Sequence, residues 1–178
     1  MTNIDSFADR LFEEAKRFLE KGKEATDDGQ IAYLHAGILL SFSALEAHIN
    51  AIADEQLLRD GLSLQDRSIL MERDIKFKNG QFELGDFKMY RLQDRIEFLC
   101  RRFGRTPLNK SDAYWSGFLE ATRLRNNLTH PKDDTGINKR AVELAILSVL
   151  QLINAVFIVI YGRPHPGFRR GLDSNMNF

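Results

Sequence analysis

Apolar residues recur at every third or fourth position along most of this chain, and each such run predicts an amphipathic helix. In the first run Ile4, Phe7, Ala8, Leu11, Phe12, Ala15, Phe18 and Leu19 keep the spacing, and the helix is expected to stop near Gly22 or at Asp27-Asp28-Gly29. A second helix follows from about Gln30 to Leu58. Ser63-Leu64-Gln65-Asp66 has the capping-box form and starts a short third one. The period then changes, because Ile75 and Phe77 face Phe82 and Leu84 across Asn79-Gly80. That dipeptide between alternating apolar residues predicts a hairpin. Helical spacing returns with Met89, Leu92, Ile96, Leu99 and Phe103 and ends at Gly104. From the N-cap type Ser111, the residues Tyr114, Trp115, Phe118, Ala121 and Thr122 draw one face of the next helix. Lys132-Asp133-Asp134-Thr135-Gly136 then turns the chain into a last helix of about Asn138 to Tyr161.

The fold class read from this pattern is all-α, an antiparallel bundle of four to five main helices over residues 1–162. It carries a small insertion of hairpin and short helix over about residues 59–86, and residues 163–178 are expected to form a flexible basic tail. No repeat, low-complexity block or linker divides the chain. From Leu144 to Tyr161 the last helix is interrupted only by Ser148, Gln151 and Asn154, which approaches the length of a membrane span. Those polar residues recur at every third position and so trace a stripe. We expect a buried helix whose remaining surface meets a partner subunit, and no membrane.

Charge and composition narrow the chemistry. Lys plus Arg and Asp plus Glu both number 25, so no overall field draws the protein to nucleic acid and any RNA site must be local. A lone Cys100 excludes an internal disulfide framework and a thiolate metal site. The four histidines show no ligand spacing, and no glycine-rich phosphate loop follows a strand, so no metal and no cofactor is expected. Met1-Thr2-Asn3-Ile4-Asp5 lacks the basic and apolar regions of a signal peptide, and a cytoplasmic location is the expectation.

The segment richest in chemistry is Arg125-Asn126-Asn127-Leu128-Thr129-His130, with Pro131 directly after it. Arg125 falls in the middle of the apolar face drawn by Trp115 and Phe118, whereas Arg123 projects to the other side with Ser116, Glu120 and Asn127. A guanidinium aimed at a core or cleft must be paired or must await an anion. Pro131 pushes His130 out of the α region, and His130 is expected to fold back beside Arg125. On the second helix Glu46 lines up with Leu39, Phe42, Ser43, Ile49, Asn50 and Ala53, a mostly apolar stripe carrying polar groups in register. Such a stripe suits the wall of a polar cleft, with Glu46 orienting His130 or pairing with Arg125. His48 points the other way and is not expected to be catalytic.

Arg125-Asn126 with His130 at the end of a bundle helix resembles the signature of the HEPN superfamily. An upstream helix bearing Ser43-Ala44-Leu45-Glu46-Ala47-His48-Ile49-Asn50 and a long apolar helix afterwards complete the likeness, which covers about residues 5–161. The resemblance implies a metal-independent endoribonuclease with Arg125, Asn126, His130 and Glu46 as catalytic residues. It also implies a homodimer in which two motifs face each other, with the last helix at or near the interface. Ser43, Asn50 and Asn127 are the candidate substrate-binding side chains, RNA is the expected partner, and a separate antitoxin protein is compatible with such a toxin or defence role. The expected products carry a 2′,3′-cyclic phosphate and a 5′-hydroxyl. Other family members have lost activity, so a module that binds nucleotide, RNA or protein without cleaving it stays open. A purely structural Arg125–Glu46 network that terminates the helix also stays open.

Overall fold

The computed structural model describes residues 3–26, 28–132 and 136–178, with the side chains of residues 3–5 excepted. Ile4 and Asp27 of the first helix reading, and Asp133, Asp134 and Thr135 of the expected turn, therefore lie outside the described side chains or residues. Six α-helices and one hairpin make up the described fold, in the order α1 (Asn3–Glu24), α2 (Gly29–Gln56), α3 (Leu64–Leu70), β1 (Arg73–Lys78), β2 (Gln81–Phe87), α4 (Leu92–Phe103), α5 (Ala113–Thr129) and α6 (Lys139–Tyr161). A 3₁₀ turn, Pro166–Arg170, follows.

Helices α1 and α2 form an antiparallel pair, with Gly22 against Leu34 and Gly37 against the Ala15 carbonyl. Helices α5 and α6 form another. A Cβ built on Gly117 would lie 2.2 Å from the Ser148 hydroxyl, so the two helices approach as closely as they do only because residue 117 has no side chain. The Ser148 hydroxyl donates back to the Leu144 carbonyl at 2.8 Å, which lets the first polar residue of the α6 stripe be buried. Leu34, Ile38, Leu45, Ile49 and Ile52 of α2 meet Ile146, Val149, Leu150 and Ile153 of α6, Ile96 and Leu99 of α4 and Phe118 of α5 in one continuous core. Burial of each such large side chain contributes about 2 kcal/mol. By length and composition α2 and α6 are both apolar enough to cross a membrane, but 61% and 50% of their most apolar windows are buried inside the bundle.

Local chemistry sets the element ends. Ser63 accepts from the Asp66 N–H and Asp66 accepts from the Ser63 N–H, both at 3.0 Å, which is the reciprocal capping box at the start of α3. Asn79 and Gly80 have φ of 51° and 82°, the left-handed pair that a two-residue hairpin turn requires. The strands pair antiparallel with Ile75 opposite Leu84 and Phe77 opposite Phe82, as the sequence predicts. Asn138 caps α6 by accepting from the Arg140 N–H at 2.8 Å.

Several expectations shift. Helix α4 starts at Leu92, and Met89 lies outside it and is exposed. Asp112 rather than Ser111 stands at the N-cap of α5 and makes no side-chain cap. Phe7 is exposed although it keeps the period of the α1 stripe. The largest correction is the C-terminal segment. Residues 163–178, expected to be a flexible tail, lie along α1. Arg170 meets Glu13 at 2.9 Å, the Ser174 and Asn175 N–H groups donate to Glu20 and Glu13 at 2.8 and 2.9 Å, and Phe178 packs on Phe18 with ring centroids 5.4 Å apart. The carboxylates of α1 supply the partners, which the basic composition of the segment does not reveal.

Candidate functional site

Arg125 lies one turn before the end of α5, where the chain leaves the helix. His130 has φ −136° and ψ 63°, outside the α region as Pro131 requires. Its N–H donates to the Asn126 carbonyl at 2.8 Å, and the Thr129 hydroxyl donates to the carbonyls of Arg125 and Asn126 at 3.2 and 3.3 Å. These bonds close the last turn and hold the motif backbone in one geometry.

The guanidinium of Arg125 stands over the Phe42 ring, 5.0 Å from its centroid, and is partly buried. Its nearest carboxylate among the described residues is Glu46, with Nη2 to Oε1 at 3.9 Å, too long for a hydrogen bond. The Arg125 Nε is buried without a hydrogen-bond partner among the described residues. The guanidinium is thus held by stacking and by a loose, half-exposed counter-ion rather than by a close structural pair. Arg123, two positions away, is exposed and paired with Glu120. The opposite environments expected for the two arginines are thus found.

Arg125 and Asn126 open into a cleft of about 420 Å³, shared with Glu46 and Asn50 of α2, Glu72 before β1, Phe87 of β2, and Arg91 and Arg95 at the start of α4. Arg95 is the residue that the sequence reading missed. It is buried, donating to the Asn50 side chain at 2.8 Å and to Glu72 at 3.0 Å. Burial draws its guanidinium below the ordinary arginine pKa, against the pull of Glu72, Glu46 and Asp54. The signal was present, since Arg95 stands three residues after Leu92 and four before Leu99 on the apolar face of α4. Three arginines against two carboxylates give the cleft a cationic balance that the neutral chain as a whole lacks.

The remaining candidates are dispersed. Asn50 lines the cleft but is held by Arg95. Ser43 is exposed, does not line the cleft, and donates back to the Leu39 carbonyl at 3.2 Å. Asn127 lies with Arg123 in a separate groove between α5 and α6. His130 is exposed and does not line the Arg125 cleft, so the expected fold-back beside Arg125 is not seen within one copy of the chain. The turn made by Pro131 carries the imidazole away from the bundle instead. Of the basic residues on α4 and after it, Arg102 is taken by Asp66 at 3.2 Å and Lys110 by Glu97 at 2.8 Å. Cys100 is buried, and burial, aided by the Glu97 charge, pushes its thiol up to about 12, which rules it out as a nucleophile near neutral pH.

A second cluster forms at another face of the bundle, and the sequence reading, which named His48 only as not catalytic, did not anticipate it. His48, on α2 and pointing away from Glu46, meets Asp9 of α1 and His165 of the C-terminal segment. Positions so far apart in the chain give no spacing signal.

No protein-family model, curated protein or solved structure matches this chain. The functional reading therefore rests on the motif and on the chemistry of the cleft.

Proposed function

We propose that the protein is a metal-independent endoribonuclease of the HEPN type, acting as a homodimer. The observation that carries this reading is Arg125, a guanidinium stacked on Phe42 and lining a cleft, with no carboxylate among the described residues closer than 3.9 Å. That is the state of a cation waiting for a phosphate. In the reaction a ribose 2′-oxygen attacks the adjacent phosphorus while the bond from phosphorus to the 5′-oxygen breaks. His130 accepts the 2′-hydroxyl proton or delivers one to the leaving 5′-oxygen, and two copies supply one imidazole for each role. Arg125 stabilises the charge that grows on the phosphoryl oxygens, and Asn126, beside it at the cleft, orients the phosphate. Glu46, in the same cleft, holds the guanidinium loosely.

The dimer supplies what one copy lacks. His130 is exposed outside its own cleft, and a two-fold axis beside the end of α5 brings two such imidazoles and two Arg125 side chains to one seam. The groove of about 740 Å³ between α5 and α6, lined by Leu124, Leu144 and Ala145, lies with Arg123 on the other side of α5 from the Arg125 cleft, so the contact that joins the two motifs is a different one, beside the end of α5. A non-catalytic reading, in which the cleft holds a nucleotide or RNA phosphate and His130 takes no part, is favoured by one observation, that His130 stands outside the cleft.

The test is incubation of a mixed-sequence labelled RNA in excess chelator with the wild type, Arg125→Ala and His130→Ala, each shown to be folded by circular dichroism. Cleavage by the wild type alone is the expected result. RNA binding without cleavage by all three would support the binding module, and cleavage that requires a divalent ion would contradict the mechanism.

A further inference from the structure

Asp9, His48 and His165 come from three different elements and converge on one point. The His165 Nε2 is 3.1 Å and the His48 Nε2 3.7 Å from the same carboxylate oxygen, Asp9 Oδ1. One ligand-capable atom from each of the three residues lies within 4.8 Å of the others. The two imidazoles are buried and meet edge to face with centroids 4.9 Å apart, and Phe157 packs against both rings. A zinc ion with bonds of about 2.0–2.2 Å separates its tetrahedral ligand atoms by roughly 3.3–3.6 Å, which the two measured separations bracket.

We propose that Asp9, His48 and His165 form a binding site for one divalent transition-metal ion of the zinc class, which fastens the C-terminal segment to α1 and α2. Two imidazoles and one carboxylate are the donor set that ions of this class accept and that magnesium and calcium do not favour. The three protein ligands leave a coordination position open. The adjoining cavity of about 510 Å³, lined by Asp9, His165 and Arg170, has room for a water there.

The local charges bear on the site. Burial raises the Asp9 carboxyl, but its hydrogen bond with His165 and the charges of His165, His48 and Arg170 reverse this and hold it below its ordinary value. Lys16 and Arg170 are both committed to Glu13, at 3.0 and 2.9 Å, and so need not compete for Asp9. The His165 Nδ1 accepts from the Gly167 N–H at 3.2 Å, which turns Nε2 toward Asp9. An ion at Nε2 requires the ring proton on Nδ1, so binding there displaces the Gly167 bond.

The ion is separate from the chemistry proposed at Arg125. Glu46 and His48, two residues apart on α2, project to nearly opposite sides of the helix. The test uses the full chain, stripped by chelator and titrated with zinc by calorimetry, with cobalt as a second probe read by its visible absorption. The expected result is one zinc per chain at micromolar or tighter affinity and a tetrahedral-type cobalt spectrum. Asp9→Asn and His165→Gln should each weaken binding at least tenfold, and His130→Ala, a histidine outside the cluster, should not. Thermal melts with and without zinc should show a rise in Tm for the wild type that both variants lose. Absence of stoichiometric binding to the folded wild type overturns the proposal, and so does binding that neither variant weakens. Because these readouts need no RNA, failure here leaves the ribonuclease reading standing, and failure there leaves this one.

Discussion

Two arginines at one cleft have opposite roles, and the difference lies in what each already touches. Arg95 is buried and bound on two sides, by Asn50 and Glu72. Its removal leaves Glu72 facing a desolvated gap, so Arg95→Ala should cost roughly 3 kcal/mol and lower Tm by on the order of 10 °C. Arg125 is stacked on Phe42 and sits at the limit of ion-pair distance from Glu46, itself half exposed. Arg125→Ala should cost no more than about 1 kcal/mol while removing activity. Thermal melts of the two variants check this, and a loss for Arg125→Ala as large as that for Arg95→Ala would make Arg125 a structural residue. The sequence showed where the Arg125 side chain would point, because the three-four period around Trp115 and Phe118 places it. It did not show that His130 would stay in solvent, because Pro131 fixes only that the chain leaves the helix and not the direction in which it goes. Arg95 went unread because the α4 stripe was read through its apolar members alone.

At the scale of elements, the ends were most legible where a short-range bond sets them. Asn79-Gly80 and the Ser63–Asp66 box act within three residues and appear where the sequence puts them, and the start of α6, read only as about Asn138, is set by a cap of the same short range. Ends set by tertiary contact were less legible. Met89 keeps the α4 period but precedes the helix, and residues 163–178 have a composition typical of a tail yet find Glu13 and Glu20 on α1. The α3 box yields a measurable pair of effects. Ser63→Ala should cost about 1 kcal/mol by loss of the cap. The Ser63 N–H bond to the Asp66 carboxylate, with Arg102 beside it, outweighs burial and holds that carboxyl below 3.8. A carboxyl depressed in the folded state contributes stability above its unfolded pKa and loses it as pH falls through the folded one. Denaturant unfolding between about pH 5 and about pH 2 should therefore show a smaller acid loss for Asp66→Asn than for the wild type. Equal slopes would mean that the box does not hold Asp66 ionised.

Across the whole molecule, the C-terminal segment belongs to the fold. Removing residues 163–178 takes Arg170 and Asn175 from Glu13 and His165 from Asp9 and uncovers one side of Phe18, so the truncated chain should melt several degrees lower. An unchanged Tm would show that the segment contributes nothing. A neutral chain with a cationic cleft needs no global field to find RNA, provided that Arg125 meets a phosphate and a second copy supplies the missing imidazole. The most direct measurement of this account is analysis of the RNA ends left by the wild type in excess chelator, beside a substrate carrying a 2′-deoxy sugar at the cleaved position. The account predicts 2′,3′-cyclic phosphate and 5′-hydroxyl ends, with no cut at the deoxy site. Cleavage at that site, or 5′-phosphate ends, would contradict it.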